Sequence, residues 1–333
     1  MRKIRIAQIG TSTNSHGNPV WSSLKKQSDL FEIVGYAFPE KEREKFPERM
    51  KSFEGYKELT VEEILADETI EAVTVETEEI YLTKYALMAA KAGKHIHMEK
   101  PGSQCLADFE EMIRIIRENG RVFHTGYMYR YNPFVMELME QIKRGDLGEI
   151  LCVEAQMNCF HPPETRAWLS SFKGGMTFFL GCHLIDLILQ IMGMPERIIP
   201  LNKSTGGDGV TSEDFGMAVL EYPHGISFAK ASALEYGGFE RRQLVVTGTK
   251  GTVELKPLEF ACGDGLKTCR FQRYDAGWKS ETPGEWSREF DRYDAMMASF
   301  AAMVRGEKEN PYTLDYELDL YKVILECCGG EME

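Results

Sequence analysis

The first 125 residues alternate short apolar strand-like runs with helical stretches, and this alternation leaves few folds open to them. Residues 4–9 read as a strand ending at Gly10, and 19–26 as a helix. Residues 31–37 form the second strand, and Thr60-x-x-Glu63 has the spacing of a capping box at the start of a short helix. Then come a strand over 70–76, a helix over 80–92 and a strand over 95–98. A helix over 103–119, stopped by Gly120, and a strand over 121–125 complete the series. Strands separated by helices of this length form right-handed βαβ units on a parallel, doubly wound sheet.

After Gly126 the rhythm changes. Helices are expected at 133–144 and 177–192, and strands at 151–159, 215–222, 226–234, 242–247 and 252–255. Tyr222-Pro-His-Gly225 and Gly248-Thr-Lys-Gly251 read as hairpin connections. Helices over 288–304 and 314–328 close the chain. The expected fold is α/β. A nucleotide-binding domain over 1–125 precedes an α+β domain over 126–333 with a mostly antiparallel open sheet. The length of 333 residues suits two such domains.

Charge narrows the partners. The chain has 39 Lys and Arg against 52 Asp and Glu, a net of 39 − 52 = −13. That balance disfavours nucleic acid, whose backbone is gripped by clustered cations, and anionic membranes. The most apolar stretch, residues 176–192, is interrupted by His183, Asp186 and Gln190, so no membrane span is expected. The apolar run after Arg2-Lys3 is too short for a signal core. Eight cysteines show neither a CxxC pair nor a histidine at zinc-ligand spacing. They read as reduced thiols of a cytoplasmic chain without a metal, and Cys182 as a small packing residue.

The first strand runs into Gly10-Thr-Ser-Thr-Asn-Ser-His-Gly17, followed by a helix. Strand, glycine, loop, helix is the context of a dinucleotide fingerprint. Gly10 stands at the first glycine position, Ser12 replaces the second, and Gly17 comes two residues late for the third. Backbone amides with the hydroxyls of Thr11, Ser12 or Ser15 can receive a pyrophosphate there. The other reading is an ordinary polar turn. After the second strand, Glu40 favours the ribose hydroxyls of NAD, whereas Lys41 and Arg43 close behind leave NADP as the alternative.

Glu99-Lys100-Pro101 ends a short strand, at the sheet edge where open α/β folds bind ligands. A lysine there can hold a substrate hydroxyl and its developing charge; a solvated surface turn is the alternative. With Thr77, Ala92-Gly-Lys-His95, Gly126-Tyr-Met-Tyr-Arg-Tyr-Asn-Pro133, Gly145-Asp-Leu-Gly-Glu149, Trp168, Gly174-Gly175, Gly181-x-His183-x-x-Asp186 and Gly248-x-x-Gly251, these residues form an ordered set. The set resembles the glucose–fructose oxidoreductase/inositol dehydrogenase (Gfo/Idh/MocA) family over nearly the whole chain. The resemblance implies a Rossmann domain, with Thr77, Glu99 and Lys100 at the cofactor, and a larger domain whose sheet builds homodimers or homotetramers. It implies NAD(P)-dependent oxidation of a secondary alcohol on a sugar, polyol or cyclitol.

His183, Asp186 and Gln190 fall at i, i+3 and i+7, a polar seam on an otherwise apolar helix. Buried polar groups must find partners, so the seam is either a closed structural set or a site. The resemblance favours the site, with His183 as general base and Lys100 on the reacting oxygen. One departure stands out. The family's usual aspartate four residues before this histidine is Phe179 here, which either meets an apolar part of a substrate or fills the core. Tyr129, Arg130, His161, Arg166, Trp168 and Asp186 are further substrate-side candidates. Two other activities compete with the dehydrogenase: an NAD-recycling glycoside-cleaving enzyme and a non-catalytic dinucleotide-binding sensor.

Overall fold

The computed structural model describes residues 2–263, 265–274 and 286–331. The chain divides into two compact units, Met1–Tyr127 with Tyr293–Tyr321, and Met128–Arg292 with Lys322–Glu333. A single cut near Gly126 was the expectation from sequence, and a later segment joins the first unit instead.

The first unit carries β1 (Ile4–Ile9), α1 (Gly17–Lys26), β2 (Phe31–Ala37), α2 (Glu42–Lys45), α3 (Val61–Ala66), β3 (Ala72–Val75), α4 (Leu82–Lys91), β4 (His95–Met98), α5 (Leu106–Asn119) and β5 (Phe123–Thr125). Its five strands are parallel in the order β2-β1-β3-β4-β5. The chain leaves β1 toward one side of the sheet and returns on the other. The C-terminal ends of β1 and β3 therefore flank the crevice where such sheets bind ligands. Local chemistry sets the elements. Thr60 and Glu63 exchange backbone and side-chain hydrogen bonds at 3.0 and 2.7 Å, the capping box read from sequence. Phe109, Met112, Ile113 and Ile116 bury one face of α5, about 1.5–3 kcal/mol for each side chain. Gly120, at φ 59°, ends that helix in the left-handed conformation that glycine adopts without strain.

The second unit opens with α6 (Pro133–Arg144), capped by the Asn132 side chain accepting from the amides of Phe134 and Val135. There follow β6 (Ile150–Asn158), α7 (Pro163–Trp168) and α8 (Cys182–Met192). Next are β7 (Arg197–Lys203), β8 (Phe215–Tyr222), β9 (Gly225–Ser232), β10 (Gln243–Gly248), β11 (Gly251–Leu255), β12 (Phe260–Cys262), β13 (Gly265–Arg273) and β14 (Trp286–Glu289). They build one nine-stranded sheet, β12-β13-β11-β10-β6-β9-β8-β7, with β14 on β13. Every pairing is antiparallel except β6 with β9. The fold is therefore α/β overall, a parallel Rossmann-like sheet and then a mixed, mostly antiparallel one. α8 lies against β6 and β9 and buries Leu184, Ile185, Leu187 and Ile188 completely.

A helix over 288–304 is not what forms. Arg288 and Glu289 pair with Thr268 and Lys267 as strand, and α9 (Asp294–Val304) starts only at Asp294. α9 carries Met296, Met297, Phe300 and Ala301 inward, and the Phe300 ring lies 5.9 and 5.5 Å from those of His97 and His124 on β4 and β5. Burial of that apolar helix is what draws 293–321 into the first unit. The division falls within α10 (Leu314–Cys327), after Tyr321. Among the described residues, no helix is long and apolar enough to cross a membrane.

Candidate active site

The loop after β1 turns tightly at Gly10. Gly10 has φ +85°, and a Cβ there would meet Thr77 Cγ2 at 2.4 Å, so only glycine lets the loop pass beside the end of β3. At Gly17 a Cβ would meet Thr11 Oγ1 at 2.9 Å and the Glu76 side chain at 3.2 Å. Gly17 thus gives the close packing of helix on strand that the third fingerprint glycine provides, despite its later position. Between them the loop bonds to itself. The Ser12 amide donates to Ser15 Oγ and the Ser15 amide to Ser12 Oγ, both at 2.9 Å. Thr11 Oγ1 donates to Asn18 Oδ1 at 2.8 Å, and the Arg49 guanidinium donates to the Ser15 carbonyl at 3.2 Å.

The acidic residues near β2 differ in kind. Glu40 accepts from Lys84 Nζ at 2.6 Å and from Tyr85 OH at 2.7 Å, which hold it below the usual carboxylate range. Glu42 is wholly buried and accepts the Thr11 amide at 3.0 Å. Burial pushes its carboxyl up to about 9, against that hydrogen bond and with help from the Glu78 charge. A folded value above the ordinary one near 4.5 means that Glu42 folds most favourably when protonated. Its contribution is complete at low pH and disappears as pH climbs to about 9. Glu42→Gln keeps the neutral shape, so melting midpoints should fall less for the variant than for wild type between about pH 5 and 9. Parallel curves would remove Glu42 from the pH dependence.

Glu99 and Lys100 follow β4, both 1% exposed. Glu99 Oε2 lies 2.9 Å from His16 Nδ1 in the phosphate loop, and its Oε1 is 3.8 Å from Lys100 Nζ. Burial opposes its charge, yet His16 and Lys100 hold the Glu99 carboxyl below its ordinary value. Two neighbours behave oppositely. Glu76 is raised well above the carboxylate range by burial and by Glu99 and Glu79, and burial pushes Glu79 to about 7. His97, driven down to about 4 mainly by burial, is neutral and contacts His124 Nδ1 at 2.8 Å. The Glu99 carboxylate, held below its ordinary value, therefore stands beside the lysine, while burial holds Glu76 and Glu79 above theirs. His16, Glu42, Glu76 and Glu79 were not singled out from sequence, because no spacing rule brings a loop histidine onto a carboxylate 83 residues away.

The second unit presents His183 on α8, 1% exposed, directly after a π-helical turn over Thr177–Gly181. Such turns inside helices often mark functional sites. The Tyr129 ring stands edge-on to the imidazole, 5.4 Å between centroids. Tyr129 OH bonds to Glu259, which also pairs with Arg242 and Arg292. Asp186 is clamped by Arg130, whose Nη2 and Nε lie 2.8 and 3.0 Å from its two oxygens, and by Gln190 Nε2 at 2.9 Å. Arg166, fully buried, spends its guanidinium on Asp208, Asp214 and the carbonyls of His161 and Gly207. Phe179 sits with Cys159, Leu169, Met176, Ala231 and Ala233 in an apolar cluster, and the Trp168 ring packs edge-on against it at 5.1 Å. His161 is half-buried, its ring 6.3 Å from that of Phe179 and its Nε2 without a hydrogen-bond partner.

The Arg130–Asp186 pair is a structural test. Removing one partner leaves a buried charge, at about 3–5 kcal/mol. Asp186→Ala and Arg130→Met should each shift the urea midpoint accordingly. A cost below about 1 kcal/mol would show that the pair is not what holds α8 in place.

Comparison with known proteins decides the family. Residues 4–127 match the profile described as oxidoreductase family, NAD-binding Rossmann fold, and residues 135–254 match the GFO/IDH/MocA C-terminal domain. The chain belongs to the Gfo/Idh/MocA oxidoreductase family. It is 25% identical over 211 residues to the Escherichia coli 2,7-anhydro-N-acetylneuraminate hydratase, a match covering 61% of this chain and 56% of that protein. It is 26% identical over 255 residues to the Ensifer adhaerens 1,5-anhydro-D-fructose reductase, covering 74% and 73%. Its fold is that of an Actinomadura kijaniata 3-ketoreductase solved with NADP and TDP-benzene: TM-score 0.76, 16% identity, 97% of this chain and 96% of that one. The first unit of this family member is an NAD(P)-binding Rossmann domain, and the glycine geometry at Gly10 and Gly17 fits that group.

Proposed function

We propose that this Gfo/Idh/MocA protein moves a hydride between a secondary alcohol of a sugar, polyol or cyclitol-like substrate and NAD, with NADP as the alternative, in the cytoplasm. The observation that carries the reading is Lys100. It is a buried ammonium at the C-terminal edge of β4, beside the ionised Glu99, where a parallel sheet presents its ligands. When bound, the nicotinamide supplies the hydride acceptor. The chain's own residues do the rest. Lys100 holds the reacting hydroxyl oxygen and stabilises the charge that grows on it. His183 takes the hydroxyl proton on an imidazole nitrogen. Gly10, Thr11, Ser12, Ser15, Gly17, Glu40, Thr77, Glu99 and Lys100 form the cofactor side. Tyr129, Arg130, His161, Arg166, Trp168, Phe179 and Asp186 form or support the substrate side. A homodimer or homotetramer built through the large sheet is the proposed assembly, without nucleic acid or membrane partners.

A second reading has one observation in its favour: a relative carries the name of a hydratase. In that reading the cofactor is reduced and reoxidised within each turnover. The purified protein, incubated with NAD or NADP and a panel of cyclitols and hexoses, separates the two. Net reduced cofactor is the expected result. Product formation without net reduction would favour the recycling enzyme, and dinucleotide binding without turnover would favour a sensor.

A further inference from the structure

His16 lies in the phosphate loop at the mouth of α1, its side chain 20% exposed, and it makes no helix-capping bond. It turns instead to Glu99, Nδ1 to Oε2 at 2.9 Å, with its ring 5.5 Å from that of Tyr293. The Glu99 carboxylate thus has His16 on one oxygen, while its other oxygen is 3.8 Å from Lys100 Nζ, outside hydrogen-bond range. The remaining groups facing Glu99 offer it little. Glu76 and Glu79 are acidic, and His97 is buried and neutral.

We propose that His16 is a positioning residue for Lys100: by holding Glu99 it keeps that carboxylate ionised but short of closing on the lysine. A buried carboxylate deprived of its donor has two ways to recover. It can take up a proton, or it can close on the nearest cation. Either one changes Lys100, which then faces a neutral acid or is drawn toward Glu99 and away from a substrate oxygen. The same contact ties the phosphate loop to the turn bearing the lysine. The inference rests on the assignment of Lys100 above and extends it to a residue outside the fingerprint.

Two substitutions separate the hydrogen bond from the loop's shape. His16→Phe keeps a ring beside Tyr293 without a donor. His16→Asn places an amide nitrogen donor near the Nδ1 position without the ring. Turnover is followed with NAD or NADP and the panel of cyclitols and hexoses, dinucleotide affinity by calorimetry, and the melting midpoint on dinucleotide-free protein. His16→Phe is expected to lower kcat at least tenfold, with dinucleotide Kd within threefold of wild type and a midpoint lower by several degrees. His16→Asn should restore both kcat and midpoint to near wild type. A His16→Phe midpoint and kcat within error of wild type would overturn the proposal. So would a loss confined to dinucleotide Kd, the signature of a purely structural loop residue. Lys100→Met is run in parallel. If it keeps turnover, the assignment of Lys100 fails; if it is inactive while His16→Phe is normal, only the role of His16 fails.

Discussion

His183→Asn is expected to lower turnover by about two orders of magnitude or more while leaving KM within a few-fold. General-base catalysis by a positioned histidine contributes about 10²- to 10⁴-fold, and asparagine cannot accept the proton. The site argues for a specific loss rather than misfolding. α8 is anchored by the four aliphatic side chains buried against β6 and β9, and by the Arg130–Asp186–Gln190 set one turn on. His183 instead faces the edge of Tyr129, whose hydroxyl is already committed to Glu259. The melting midpoint of the variant should therefore stay near wild type. A kcat within a few-fold of wild type would remove His183 from the mechanism.

Lys100→Met should be at least as damaging. Methionine replaces the apolar stem but not the ammonium, so stabilisation of the developing alkoxide is lost. A single such donor is worth about 10²- to 10³-fold in kcat. The neighbourhood predicts a second effect. Glu99 loses a nearby cation while Glu76 and Glu79 still face it, so its carboxyl should rise toward them. Full turnover in Lys100→Met would contradict the assignment.

Much of the fold is readable along the chain because its determinants are local. The Thr60–Glu63 capping box and the stop at Gly120 act within a few residues, and both appear as read. Long-range burial is less legible. α9 is apolar on nearly every side, so its periodicity does not reveal that it covers β4 and β5, and the simple division near Gly126 misses it. Arg288 and Glu289 are polar residues with no strand alternation of their own; register with β13 makes them a strand. The site divides in the same way. Gly10, Lys100 and His183 stand out by motif. The contacts that set their electrostatics, His16 on Glu99 and Glu42 on the Thr11 amide, span 83 and 31 residues. Arg166 and Asp186 show the converse: polar residues in the expected region, held by ion pairs of their own unit.

Hydride transfer is the central claim, and isotope transfer tests it most directly. The protein is incubated with NADH or NADPH carrying deuterium at the transferable position and with the ketone form of each member of the sugar and cyclitol panel, and the product is examined by mass spectrometry. The account predicts one deuterium at the new carbinol carbon, absent in Lys100→Met and strongly reduced in His183→Asn. Product formed without deuterium, or dinucleotide bound with no transfer to any member of the sugar and cyclitol panel, would contradict it.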